Sequence, residues 1–179
     1  MKSVIKSLHP EACERIASGE QTIIIAKSAP KEVPFKAYIY CTKGTFDITN
    51  IQDLLADSVR KVADGRGKVI GEFICDKVYI RPSNTIYYGK GREDYLDLIK
   101  TACMTEMQVL DYMGGKFNRD TYFWHISNLK IYDKPKELNV FWTLKCTNKK
   151  ASCSDCIVKP FCIKHLTHAP QSWQYVEEL

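Results

Sequence analysis

The stretch His9–Lys27, HPEACERIASGEQTIIIAK, runs from a helical pattern through one glycine into a β-branched strand. Pro10 suits a first helical turn, where its missing N–H costs nothing. Ala12, Cys13, Ile16 and Ala17 recur at helical spacing, while Glu11, Glu14 and Arg15 take the other face. Gly19 supplies the left-handed residue that a helix C-terminus often needs. Thr22-Ile23-Ile24-Ile25 is too β-branched to prefer helix and reads as a strand.

Working outward, Ser3–Leu8 reads as a short strand feeding the helix, with Lys6 near the turn and His9 as a helix-start residue. Beyond the central strand, Lys27, Ser28 and Lys31 form a cationic turn suited to an anion, or simply to solvent. Phe35–Lys43 alternates and is rich in aromatic residues, which predicts a strand. Residues 48–64 place Ile51, Leu54, Leu55, Val59 and Val62 on one helical face, with Asn50 as N-cap. Lys68–Arg81 reads as a long strand or a strand pair. Glu72 lies inside that apolar run, and a buried carboxylate must be paired, hydrogen-bonded or neutral. It is therefore a candidate pocket residue, with a solvated edge-strand position as the alternative.

Residues 82–92 read as a loop in which Tyr87, Tyr88, Lys90 and Arg92 interleave, a composition that stacks bases and neutralises phosphates or merely coats a surface. Two short helices are expected over 93–101 and 105–112, the second capped by Thr105. Tyr122–Tyr132 predicts one strand, with Trp124 and Ile126 on one face and Phe123 and His125 on the other. His125 is read as partly buried and structural. Asp133-Lys134-Pro135 is expected to end that strand, and Ala169–Val176 supplies a last one.

The 179 residues fit a single domain over 1–179, and 45% hydrophobic content is enough for a core. No run approaches the roughly 20 apolar residues that span a bilayer, and the expected location is the cytoplasm. A formal net charge of +5 tilts the chain toward anionic partners, although scattered lysines often only solvate a surface. Of eight cysteines, Cys13, Cys41, Cys75 and Cys103 stand singly in apolar segments and read as small buried hydrophobes. Cys146, Cys153, Cys156 and Cys162 cluster, and the Cys153-x-x-Cys156 knuckle lets two thiolates point at one ion. This predicts a cysteine-rich insertion over 143–168 holding structural zinc, with His165 as substitute ligand; an iron–sulfur cluster or reduced thiols are the alternatives.

The segments SLHPEACERIASGEQT, KSAPKEVPFKAYIYCTK, GKVIGEF, WHISNLKIYDKPKEL and APQSWQYVEEL resemble small bacterial and phage proteins of the ASCH domain family, which has the PUA-like superfold. The family signature, Gly-x-Lys-x-x-Glu-x-Arg, appears here as Gly19-x-Gln21-x-x-Ile24-x-Ala26, with only the glycine kept. The resemblance implies an α+β fold: a PUA-like mixed β-barrel with flanking helices. It also implies a pocket between the first helix and the barrel that takes RNA or a modified nucleotide. Some family members are amidohydrolases that use a lysine and a threonine from the signature segment and a glutamate from a later strand. Gln21 stands at the lysine position, Ile24 at the threonine position, and Glu72 matches the glutamate. A glutamine is no proton acceptor at neutral pH and an isoleucine no nucleophile, so that chemistry is expected to be absent. The expected roles are Lys6, Lys27 and Ser28 at an anion, Glu72 at an exocyclic amine, Trp124 or Trp173 at a base face, and Ser172 beside them. A ribonuclease or a hydrolase of modified nucleosides, with a rearranged or engineered-inactive site, is one competing reading. A phage-borne inhibitor that binds a host protein is another.

Overall fold

The computed structural model describes residues 1–44, 62–115, 118–144 and 163–179. Three strands open the chain around one helix: β1 (Ser3–Leu8), α1 (Pro10–Ala17), β2 (Ile23–Ala26) and β3 (Phe35–Cys41). The strand pair expected over 68–81 is β4 (Val69–Cys75) and β5 (Val78–Arg81). Helices α2 (Lys90–Thr101) and α3 (Glu106–Tyr112) follow, then β6 (Thr121–His125) and β7 (Ser127–Lys136). A short ribbon, β8 (Trp142–Leu144) with β9 (Ile163–His165), and the closing β10 (Trp173–Val176) complete the described elements.

The strands form a five-stranded sheet in the order β10-β1-β3-β4-β7 and a three-stranded sheet in the order β2-β6-β5. The two sheets share one core. Val4, Ala37, Ile39, Ile70 and Phe73 from the large sheet meet Ile24, Ala26 and Trp124 from the small one, and Cys13 and Ile16 of α1 close the end. The chain passes between the sheets at two corners, Asp76-Lys77 and Ile126, where strands bend from one layer to the other. The fold is thus mixed α+β as expected. Among the described residues, the barrel anticipated from the resemblance takes the form of two linked sheets.

The run Ile23-Ile24-Ile25-Ala26 is buried throughout because the small sheet is covered on both faces. Ile24 and Ala26 face the shared core, whereas Ile23 and Ile25 meet Tyr95 and Ile99 of α2, Val109 of α3 and Met113 just after it. Helix α3 starts in a full capping box: the Gln108 N–H donates to Thr105 Oγ1, and Gln108 Oε1 accepts from the Thr105 N–H. Gly71 is required by close approach, since a Cβ there would lie 2.5 Å from the Lys130 carbonyl oxygen on β7.

Three expectations are corrected. The aromatic run 122–132 is two strands in different sheets. Pro135 does not end β7, which continues to Lys136, because β7 is the outer strand of its sheet and a missing donor is tolerated there. Helix α2 begins at Lys90 behind Gly89, whose φ of 53° is the unusual conformation a glycine permits. Of the helix expected over 48–64, only 62–64 are described, and they are helical. The cysteines at 146, 153, 156 and 162 lie outside the described residues. The ribbon flanking them does not: Leu144 pairs with Ile163, so the two ends of that segment are held side by side.

Candidate functional site

A cavity of about 360 Å³ opens between β1, α1, β2 and the α2–α3 turn. Its size falls within the usual range of small-ligand sites. Two of the three altered signature positions line it. Gln21 is 5% exposed; its Nε2 donates to the Ile23 carbonyl at 2.9 Å and its Oε1 accepts from Arg15 Nε at 3.4 Å. Both ends of this side chain are therefore engaged in bracing α1 against β2. Ile24 adds an apolar wall. Ala26 does not reach the cavity; it is fully buried in the shared core beside Trp124, where an arginine would have no room.

Lys6 is the unusual group. Strand β1 alternates, so Val4 and Lys6 face the shared core while Ile5 faces the opposite side of the sheet. Lys6 is 2% exposed, lines the cavity, and among the described residues forms no ion pair with a carboxylate. Its ammonium lies 5.7 Å from the centre of the Trp124 ring and donates to Ser172 Oγ at 3.3 Å. Burial pulls its pKa down from 10.5 to about 8, because the charged form loses its hydration.

The pairing of β1 with β10 brings the C-terminal residues to this wall. Lys6 is the register partner of Trp173, and the Ser7 N–H donates to the Ser172 carbonyl at 2.9 Å. Trp173 stacks edge-on against Trp124 at 5.9 Å between centroids, and its Nε1 donates to Ser28 Oγ at 3.0 Å. The Lys27 ammonium lies 5.0 Å from the centre of the Tyr112 ring; burial raises the Tyr112 hydroxyl above the usual phenol range, and the neighbouring Ser172 hydroxyl partly offsets this. Six of the seven residues singled out from the sequence, Lys6, Lys27, Ser28, Trp124, Ser172 and Trp173, are thus linked in one cluster at the end of the shared core. Trp124 is its floor rather than an open face, being fully buried.

Glu72 is the exception. It alternates with the core residue Phe73 and so projects from the opposite face of the sheet, where it accepts from the Tyr132 hydroxyl at 2.5 Å and lies 3.7 Å from the Lys36 ammonium. Burial first, and Glu72 second, hold the Tyr132 hydroxyl well above the usual phenol range. The cavity contains groups that the sequence reading did not select: Arg15 and Glu11 from α1, and Gln108 and Tyr112 from α3. Glu11 and Arg15 are one helical turn apart, the signal that they share a face. Nothing local marks Tyr112, which arrives by tertiary packing. His125 sits in a structural contact, with Nδ1 2.7 Å from Asp76 Oδ1 at the corner between the sheets. Cys13, Cys41 and Cys75 are fully buried as expected, whereas Cys103 is partly exposed at the cavity wall.

These features define a class: an α+β domain of two corner-linked sheets, with a cationic cavity between its first helix and the strands. Among solved structures, it is similar to the ASCH protein from Zymomonas mobilis, with a TM-score of 0.56 and 16% identity over 99% of this chain and 89% of that one. A tyrosine-to-phenylalanine variant of that Zymomonas protein aligns with a TM-score of 0.54 and 17% identity, over 99% and 92% of the two chains. A serine-to-alanine variant of it gives 0.56 and 15%, over 99% and 89%. At these identities the likeness establishes the fold alone, which is ASCH-like. No protein-family model matches the sequence, and no curated protein matches it.

Proposed function

We propose that the cavity beside Lys6 binds a nucleotide or a nucleotide unit of RNA. The observation that carries this reading is a lysine amine buried to 2% exposure without a carboxylate partner among the described residues, at the wall of a cavity of about 360 Å³. Burying an unpaired ammonium is costly, and a fold retains such a group most readily where a ligand supplies the counter-charge. Lys6 and Arg15 serve the anion, with Lys27 at the rim. Tyr112 and Gln108 offer aromatic and amide surface for a base and sugar, with Trp173 beside Lys6 in the β1–β10 register. Glu72 has no part in this site, being on the other face of the sheet. The signature positions contribute shape and bracing through Ile24 and Gln21, in keeping with the loss of the family's amidohydrolase groups.

The chain's net charge of +5 supports an anionic partner in general terms. The ASCH-like fold is consistent with nucleic-acid binding, although fold alone does not fix function. We also propose that Cys146, Cys153, Cys156 and Cys162 bind a structural zinc. The β8–β9 pairing supports this by closing the segment that carries them.

The test is an NMR titration of the labelled chain with the four nucleoside monophosphates and a short single-stranded RNA at low salt. Shifts confined to Lys6, Arg15, Gln21, Tyr112 and Trp173, weakening as salt rises, are expected. No shifts at about millimolar ligand would reject the reading, and would leave a protein partner as the better account of the surface.

A further inference from the structure

We propose that the Lys6 amine captures carbonyl compounds, forming a reversible imine with a small aldehyde that carries a phosphate group. The proposal rests on the reading of this cavity as a ligand site, though not on the ligand being a nucleotide. Lys6 lines the cavity from β1 and is only 2% exposed, so a reactant meets it through the cavity and not from open solvent. Its ammonium lies 5.7 Å from the centre of the Trp124 ring and donates to Ser172 Oγ at 3.3 Å, and among the described residues it forms no ion pair with a carboxylate. An amine desolvated against an aromatic wall, with no anion to hold its proton, is the setting in which lysines attack carbonyl carbons.

Other lysines are held differently. Lys2 lies 2.6 Å from Glu32, Lys36 3.0 Å from Glu178 and Lys68 2.9 Å from Glu137, and each carboxylate favours the charged form, which is no nucleophile. Burial brings Lys6 to about 8, so its neutral share at pH 7 is about 100-fold larger than that of an ordinary lysine. The titratable and charged groups around the cavity are His9, Glu11 and Arg15 at α1, Cys103 in the α2–α3 turn, Tyr112 on α3 and Lys27 beyond it. Burial, rather than any of these, is the cause of the lowered value at Lys6. The same groups choose among aldehydes. Arg15 supplies a planar guanidinium suited to a phosphate, and Glu11, Gln108 and Tyr112 offer hydrogen-bonding partners for hydroxyls. Ring-opened sugar phosphates have this chemistry.

In the capture step the neutral Lys6 nitrogen adds to the aldehyde carbon, and one of its protons passes to the carbonyl oxygen. The resulting carbinolamine loses that oxygen as water when the second nitrogen proton is transferred to it, leaving a C=N bond. One water is released, the same water reverses the step, and no oxidant, reductant or metal is needed. Protonation of the imine restores a positive charge beside Trp124, whose ring face favours a cation.

The experiment incubates the full chain at pH 7 with equimolar pyridoxal 5′-phosphate, an aldehyde with a phosphate, traps the imine with cyanoborohydride and locates it by peptide mass spectrometry. Labelling of Lys6 at least about tenfold ahead of every other lysine is expected, in line with its larger neutral share. Pyridoxal, which differs only in lacking the phosphate, is expected to label Lys6 about tenfold less. Lys6→Met, checked for folding by circular dichroism, is expected to lose the preferred adduct and keep only slow, scattered labelling. Labelling spread over the lysines without preference for Lys6, or a total adduct undiminished in Lys6→Met, would overturn the capture. Equal labelling by pyridoxal would overturn the phosphate-bearing class. Nucleotide titration of the unmodified chain reads the cavity independently of the probe. A failure there with Lys6 trapping intact rejects nucleotide binding alone, and the converse rejects imine formation alone.

Discussion

Replacing Lys6 by methionine should make the protein more stable and less able to bind. Methionine keeps the length and most of the volume of the lysine stem but carries no charge. The drop in the Lys6 pKa from 10.5 to about 8 means that holding the charged form in the fold costs about 3 kcal/mol. Against this, the variant loses the hydrogen bond to Ser172, worth about 1 kcal/mol. The net expectation at pH 7 is a gain of about 2 kcal/mol, seen in urea as a midpoint shift of about 1 M. The sign of the pH dependence follows from proton counting. Between about 8 and 10.5 the unfolded chain keeps a proton on Lys6 that the folded chain has released, so the parent protein gains stability as pH rises through this window. The advantage of the variant should therefore shrink toward pH 10. Urea unfolding of both proteins at pH 7 and pH 10 checks this. A variant less stable at pH 7, or an advantage unchanged at pH 10, would refute the claim that Lys6 is buried at a cost.

Thr105→Ala should lower stability by about 1 kcal/mol through loss of the capping box on α3, measured by thermal or urea unfolding. Because α3 carries Tyr112 and Gln108 into the cavity, the same variant should weaken nucleotide binding more than it disturbs the distant Glu72–Tyr132 contact. Gly71→Ala should cost about 1–3 kcal/mol in urea unfolding, since its methyl group would collide with the Lys130 carbonyl 2.5 Å away. Elemental analysis of the purified protein should find one zinc per chain, and a strong chelator should lower the melting temperature. At most trace zinc, with no loss of stability on chelation, would remove the zinc proposal.

Much of the fold was legible because the elements obey their own periodicities. The Pro10 start, Gly19 stop and β-branched run after it placed α1 and β2, and the Thr105 cap placed α3. The corner at Ile126 was not legible, for a specific reason. Trp124 and Ile126 both face the shared core, so the alternation of side chains runs unbroken through the bend while the backbone changes sheets. Pro135 misled in the opposite way, because whether a strand tolerates proline depends on whether it lies at an edge, a property of the whole sheet. At the site, alternation within β4 puts Glu72 and Phe73 on opposite faces, but which face borders the cavity is decided by α1 and β2. Lys6 and Ser172 are 166 residues apart, and only the β1–β10 register brings them together. Arg15 looked like a solvated helix residue because the hydrophobic pattern marks what packs and does not separate a polar group at a cavity wall from one in solvent.

The central claim is that a buried amine with no carboxylate partner among the described residues awaits an anion, and proton uptake on binding measures it most directly. Calorimetric titration with a nucleoside monophosphate at pH 8, in buffers of differing ionisation enthalpy, counts the protons taken up. Burial lowers the Lys6 pKa to about 8, so a share of the free protein carries it neutral at this pH, and the bound anion should restore its charge. Uptake of a fraction of a proton per site is therefore expected, disappearing in Lys6→Met. Binding without uptake, equal uptake in the variant, or no binding would contradict the account.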